Sequence, residues 1–468
     1  MCGSCHDYHS PSPYSYLQRC APCSDYRYNW IKYVLIAFLP LTIFYLFVVI
    51  FKFNAVLSPA MNGFIFFCQI VSSPALMSIT SNYTYSRYGE LGGYGLDLKL
   101  VQQVISTVYG VWNLDFFRMV YEPFCLRPKL SILQILSLDY LVAIYPLFLV
   151  CLTYLLVQLH DRFQVVKYLW KPMAWLYGRF NHQWKASNSL IEAFGAFFLL
   201  SYVKITNTSF NLLMPTRLHN ASGHIVGMYA YYNGSLEYFG HDHLPYAVLA
   251  IFMFTTFNLM PLLLLCLYPC RCFQSCLNCC HLNSQVLRTF IDAFQGCYKF
   301  EPYDCRYWAA FYLFLRILIL AFFGLTHSMF FPVVMGIALI SAIVLTVVVR
   351  PYRQNIYNAI DVIFFLAIVQ ICFSGAASSL TDFINRRFKI FSCVAFGIPL
   401  LFPLMYALLL ALRMLLPNKL IANVKIYTAA ICTLIFFKRN EPLQIREYED
   451  ADNDLLQHLA NDEAQVSY

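Results

Sequence analysis

The sequence predicts an all-α fold: a polytopic transmembrane helix bundle of about nine spans, with the N-terminus outside and the C-terminus inside. Three observations predict it. About nine apolar runs are long enough, or nearly long enough, to cross a bilayer. Hydrophobic residues make up 60% of the chain and charged residues 12%, where a soluble domain has roughly 25% charged. Lys and Arg gather in particular loops, as the positive-inside rule requires. In hydrocarbon each run must satisfy its own backbone hydrogen bonds, and a helix does so within one segment.

The first element, residues 1–29, is a Cys-rich lead carrying Cys2-x-x-Cys5 and Cys20-x-x-Cys23. Two such pairs resemble a zinc ribbon. On the outer side of a membrane disulfides persist, so Cys2, Cys5, Cys20 and Cys23 are expected to be disulfide-bonded, with zinc as the other reading. The first residues, MCGSCHDYHS, contain no apolar signal core. Either the first span inserts by itself or an ectodomain precedes residue 1; the second is the favoured expectation.

Residues 30–80 form a helical pair. The run Tyr33–Phe53 is strong. The run Asn54–Ile79 is weaker, because Pro59, Asn62, Gln69 and Pro74 interrupt it. Residues 81–131 are an outer segment with a sequon at Asn82. Apolar residues at helical spacing (Leu98, Val101, Ile105, Val108, Trp112) predict an interfacial helix there. The main bundle, 132–416, holds the runs Ile132–Leu159, Leu190–Leu213, Leu244–Tyr268, Trp308–Thr326, Phe331–Val349, Ala359–Ala377 and Phe391–Leu412. Residues 417–468 should be an inner amphipathic helix followed by an acidic, disordered tail.

Orientation follows from the loops. His160–Ser187 carries Arg162, Lys167, Lys171, Arg179 and Lys185 against Asp161, so it is inside. Loop Pro215–His243 carries sequons at Asn220 and Asn233, which place it outside. The outer loop Ser378–Lys389 is dissonant, since it holds Arg386, Arg387 and Lys389.

Candidate chemistry falls into three groups. Cys270, Cys272, Cys276, Cys279 and Cys280 follow the Leu244–Tyr268 run at its inner end. Thiols beside a membrane are candidates for S-palmitoylation. Unmodified packing and zinc are the competing readings, although the spacing matches no closed zinc motif. Asp139, Glu192, Lys204, Arg316 and Asp361 lie inside spans, where an ionisable group is costly and needs a partner. Asp139 and Lys204 lie about eight and nine residues (~12–14 Å) below the outer ends of adjacent antiparallel helices, so they should pair. Arg316 is expected to snorkel inward and meet Asp361 or Glu192. Such pairs either fix helix register or line an ion or proton path. In the turn Arg350-Pro-Tyr, Asn358 is expected to cap the next helix and Asp361 to sit in its first turn. His241-Asp-His243 offers two imidazoles, short of a metal set.

The stretches CGSC…CAPC, FNAVLSPAMNGFIFFCQIV, VWNLDFFRMVYEPFC, FLLSYVKI, DAFQGCYKFEPYDCRYWAAFYLFLRILIL and VRPYRQNIYNAIDV together resemble the C-terminal membrane region of large multi-pass surface proteins of sponges, cnidarians and choanoflagellate-like organisms. The resemblance covers most of residues 1–416. It implies a long ectodomain that ends in a Cys-rich module before the first span. The RPY…N…D turn also resembles fungal transient-receptor-potential-like membrane proteins.

No P-loop, HExxH, GxSxG or strand-borne GxGxxG is present, so the chain reads as a non-enzyme without a cofactor. It has no basic stripe with stacking aromatics for nucleic acid. The expected partner is the lipid bilayer, with an outer ligand or inner adaptor of unspecified kind. The leading expectation is a plasma-membrane receptor or adhesion-type transducer. The alternatives are a transient-receptor-potential-like ion channel and an anchor for an ectodomain. About nine spans argue against the seven-span receptor class.

Overall fold

The computed structural model describes residues 9–11, 20–23, 28–50, 58–72, 109–114, 125–127, 130–159, 164, 171, 186–219, 222, 224–279, 284–301, 303–326 and 331–380. The chain divides into two compact units, Met1–Pro403 and Leu404–Tyr468. All the described residues belong to the first. The expected span 391–412, the inner loop 172–185, the dissonant loop 381–389 and the tail lie outside the described residues.

Two short strands, β1 (His9–Pro11) and β2 (Cys20–Pro22), pair antiparallel in the lead. The helices α1 (Asn29–Ile50), α2 (Pro59–Val71), α3 (Ile132–Leu159) and α4 (Ala186–Leu213) follow. Local chemistry sets their starts. Pro59 opens α2, where its missing N–H costs nothing. Ser131 and Gln134 form a reciprocal capping box at α3: Gln134 N donates to Ser131 Oγ at 3.2 Å, and Ser131 N donates to Gln134 Oε1 at 2.9 Å.

After α4 comes an antiparallel sheet of β3 (Pro215–His219), β4 (Ile225–Ala230) and β5 (Asn233–Glu237). This amends the all-α expectation: the sequon-bearing loop is partly a meander. Its last two strands turn through Tyr231 and Tyr232. The helical series resumes with α5 (Leu244–Phe254), a π-helical turn at Thr255–Leu259, and α6 (Met260–Leu267). Two amphipathic helices follow, α7 (Arg271–Cys279) and α8 (Gln285–Gln295). The described series ends with α9 (Tyr307–Thr326), α10 (Phe331–Val349) and α11 (Asn355–Leu380).

Among the described residues, five helices are long and apolar enough to cross a membrane: Asn29–Val49, Ile132–Leu159, Leu190–Leu213, Leu244–Leu267 and Asn355–Phe373. Shorter apolar helices cover Met61–Val71, Tyr307–Ala321 and Val333–Val349. The chain is built as an integral membrane protein. Burial ranks its helices. In α4, 83% of the apolar window is buried, against 22% in α5–α6, so α4 is central and α5–α6 is peripheral. On one side α4 packs antiparallel to α3. Tyr140 and Ser209 share a hydrogen bond at 2.8 Å, and Ser201 Oγ donates to Ala143 O at 2.7 Å. Leu133, Tyr140, Ala143, Ile205, Leu212, Ala250 and Met253 form the core between α3, α4 and α5.

On another side α2, α9 and α11 run parallel to one another. Phe66 meets Tyr312 and Phe365, and Tyr312 stacks on Phe365. At the next turn of α2, Gln69 meets Arg316. The close approach of α2 to α11 needs Gly63. A Cβ there would collide with Asp361 Oδ1 and come within 2.9 Å of the Phe364 ring.

Most of the expected interfacial helix in the 81–131 segment lies outside the described residues, and Tyr109 and Gly110 are helical. Residues Val111–Asn113 form a single 3-10 turn closed by Leu114 at φ 55°. Tyr109, Asn113 and Leu114 are buried, and Asn113 donates to α2.

Candidate functional site

Three fully buried polar or charged residues converge where α2, α9 and α11 meet. Arg316 and Asp361 are both fully buried, as is Gln69. In α2, apolar Phe64–Cys68 surrounds Gln69, so its amide has only neighbouring helices to bond. Its Oε1 accepts from Arg316 Nε at 2.8 Å, and its Nε2 donates to Leu199 O at 3.1 Å. Arg316 Nη1 donates to Tyr312 O at 3.1 Å, and the guanidinium lies 5.0 Å over the Phe66 ring. Tyr312 Oη in turn donates to Asp361 Oδ2.

The network extends both ways. At one end Asn113 Nδ2 donates to Gln69 O at 3.0 Å and to Ser72 Oγ at 2.7 Å. At the other, Tyr352 lies beside Asp361. Asn62 Nδ2 donates to Tyr352 Oη at 3.0 Å, and the Tyr298 and Tyr352 rings stack at 5.0 Å. Here two loops meet. Tyr298 and Tyr352 form a β-bridge, Lys299 N donates to Pro351 O at 2.9 Å, and Arg353 Nε donates to Tyr298 O at 3.2 Å. Burial pushes the Tyr298 hydroxyl well up and the Cys297 thiol up to about 12, so both stay neutral. A chain of hydrogen bonds and contacts therefore runs from the 109–114 turn to the 296–306 and 350–354 loops.

The network keeps spare capacity. Arg316 Nη2, Asp361 Oδ1, Asn358 Nδ2 and Asn113 Oδ1 are buried without a hydrogen-bond partner. Arg316, Tyr312, Tyr298, Cys297 and Asn62 line a cavity of about 20 Å³, room for roughly one water.

Several expectations are corrected here. Arg316 does not snorkel inward to a carboxylate. It turns to Gln69 on a helix distant in sequence, and Tyr312 stands between it and Asp361. Asn358 does not cap α11, which begins at Asn355. Its Oδ1 accepts from Tyr352 N at 3.1 Å, clamping the preceding turn. Asp361 lies beyond the first helical turn. Arg350 does end α10, adopting φ 49°. The sequence named Gln69 and Asn62 as flaws in a weak run. A polar amide inside an otherwise apolar run was the signal of their role.

Elsewhere, Lys204 Nζ lies 3.1 Å from Asp139 Oδ1, with side-chain exposures of 8% and 35%. Glu192 is half-buried on α4. A second amide missed by sequence reasoning is Asn258 in the π-helical turn. Its Nδ2 donates to Thr206 Oγ1 at 2.6 Å and to Tyr202 O at 3.1 Å. Cys23 is bonded to Cys125, a cysteine outside the expected set. Cys20 opens β2, and Cys2 and Cys5 lie outside the described residues, as do Asn82, Asn220 and Cys280. Asn233 opens β5, where its Oδ1 accepts from Ser235 Oγ at 2.6 Å. Cys272, Cys276 and Cys279 are exposed on α7, and Cys270 is half-exposed. His241 and Asp242 are exposed. His243 is buried with both nitrogens occupied, by Phe239 N at 3.1 Å and Leu212 O at 2.9 Å. Among the described residues no three His, Cys, Asp or Glu side chains gather as a metal site.

Comparison with protein-family models, with curated proteins and with solved structures finds no match.

Proposed function

We propose that this is a plasma-membrane surface protein of about nine spans, N-terminus outside, acting as a receptor or adhesion-type transducer. The observation that carries the reading is the buried chain from Asn113 through Gln69, Arg316, Tyr312 and Asp361 to Tyr352 and Tyr298. It joins the 109–114 turn, in the segment read as outer, to the 296–306 and 350–354 loops, which alternate crossings from an outer N-terminus put inside, so a shift at one end alters hydrogen bonds at the other. Three further facts support the orientation. The Lys and Arg distribution favours it. The Cys23–Cys125 disulfide suits an oxidising compartment for the segments at both its ends. The parallel run of α2, α9 and α11 is what alternate crossings require. The resemblance to multi-pass surface proteins belongs to the same reading.

Hydrogen exchange on the full-length protein tests the coupling. Asn113→Ala should raise exchange in both the 296–306 and 350–354 loops and leave β3–β5 unchanged. A change confined to residues touching Asn113 would remove the case for a relay. Terminal epitope tags, read in intact and permeabilised cells, test the orientation.

A transient-receptor-potential-like ion channel is the second reading. The buried, unpartnered Arg316 Nη2, on a residue that lines a cavity with room for about one water, and the unpartnered Asp361 Oδ1 favour it. Whole-cell currents that appear on expression and change with Asp139→Asn or Arg316→Met would make it the better one.

A further inference from the structure

The helix α7 presents a face of thiols. It follows α6 after the three-residue turn Tyr268–Cys270, so it starts at the very end of an apolar span. Gln274 Nε2 donates to Tyr268 O at 2.9 Å and ties the helix to that span end. Leu277 is its buried residue. Cys272, Cys276 and Cys279 are all exposed. At ~100° per residue they fall within an arc of about 60°, on the side away from Leu277. The neighbouring surface is apolar: Leu259, Met260, Leu263 and Leu267 of the span are exposed.

Neither zinc nor disulfide chemistry accounts for this face. Cys272 and Cys279 are seven residues apart, ~10 Å along the helix axis. Thiolates sharing one zinc ion each lie about 2.3 Å from it. All three sulfurs are free. Of the other described free thiols, Cys151 and Cys266 are exposed but lie within the apolar helices α3 and α6, and Cys297 is half-buried. Cys270 is only half-exposed, with its Sγ 4.0 Å from Tyr307 Oη, and Cys68, Cys305 and Cys372 are buried.

We propose that Cys272, Cys276 and Cys279 carry long-chain fatty acyl groups in thioester linkage, and that Cys270 does not. The inference rests on the proposed orientation, which puts α7 on the inner side. The donor is a long-chain acyl-coenzyme thioester. The cysteine sulfur attacks the acyl carbonyl and a new C–S bond forms. The C–S bond to the carrier breaks, and the carrier thiol leaves with the proton that cysteine gives up. No oxidant or reductant is needed. Each chain buries its methylenes in the membrane, and three chains hold α7 flat at the headgroup level. The loop between the apolar span and α8 is thereby anchored.

Hydroxylamine-dependent exchange of thioesters for a mass tag, on full-length protein from expressing cells, decides it. The tag count should fall by three in the C272S/C276S/C279S variant and by none in C270S. A smaller fall in the triple variant, no hydroxylamine-dependent tagging, or a loss in C270S would overturn the assignment. The triple variant should keep the parent melting temperature within error once both are deacylated, because the three side chains are exposed. Labelling the released thiols with a membrane-impermeant maleimide separates the two claims. Labelling in intact cells refutes the orientation and leaves the thioester count standing. Labelling only after permeabilisation, without hydroxylamine dependence, refutes acylation and leaves the orientation standing.

Discussion

Two buried cations in this bundle are handled in opposite ways. Lys204 on α4 meets its carboxylate directly, with Asp139 Oδ1 at 3.1 Å on the adjacent helix α3. Arg316 on α9 meets no carboxylate directly: a Gln69 amide takes one N–H, a backbone carbonyl takes another, and the Phe66 ring takes the face. The difference follows from shape and exposure. Lys is a compact charge that one carboxylate satisfies, and Asp139 keeps 35% of its side chain exposed. Arg spreads its charge over a planar fork whose donors suit several neutral acceptors. A pair of charges can be removed together. A guanidinium spread over amide, carbonyl and ring is bound to the packing of α9 against α2.

The largest expected effect lies in the Arg316 network. Gln69→Leu leaves a buried guanidinium Nε without its acceptor, which should cost about 3–5 kcal/mol of stability, by analogy with breaking a buried ion pair. Adding Arg316→Met should restore much of that loss. Thermal melting in detergent reads both; if the double variant is as unstable as the sum of the two singles, Gln69 is not the partner that matters.

Next comes Gly63→Ala. Alanine normally favours a helix over glycine by about 1 kcal/mol. Here its methyl would collide with Asp361 Oδ1 and the Phe364 ring, so the sign should reverse and stability fall by about 1–3 kcal/mol. A higher melting temperature in this variant would mean that α2 and α11 are not so close.

The Lys204–Asp139 pair should give a smaller effect, because Asp139 is partly exposed. Lys204→Met and Asp139→Leu should each lower folded surface yield, and the double variant should recover part of it, with a coupling of about 1–2 kcal/mol in a double-mutant cycle. Simple additivity would show that the two groups act independently.

The smallest effect belongs to Asp304, on the loop beside the network. The Arg306 guanidinium, 2.6 Å from Asp304 Oδ2, holds that carboxyl below the usual carboxylate range. A lowered folded value stabilises above the unfolded pKa of about 3.9, and the benefit fades as pH falls through the folded value. Asp304→Asn should therefore lower the melting temperature slightly at neutral pH, and the difference should shrink on acidification below about pH 4. A gap that stays constant or widens at low pH would contradict that linkage.

Residues already legible in the sequence share one property: their environment is set by position along the chain. Apolar length fixed which stretches are helices, because a backbone in hydrocarbon has little alternative. Counting residues from helix ends brought Asp139 and Lys204 to one level, since 1.5 Å per residue converts number into depth. Tertiary structure decided the remainder. Gln69 and Asn62 weaken an apolar run in one dimension and become the acceptor and donor of a network in three, because their partners come from 236 to 290 residues away. Cys23 found Cys125 at a separation of 102 residues, which no CxxC spacing encodes. The three strands between α4 and α5 depend on register between short segments, and only the packed chain fixes that register. Hydrophobicity acts locally and can be read from sequence. A hydrogen bond between distant helices needs both partners placed, and that placement is a property of the fold.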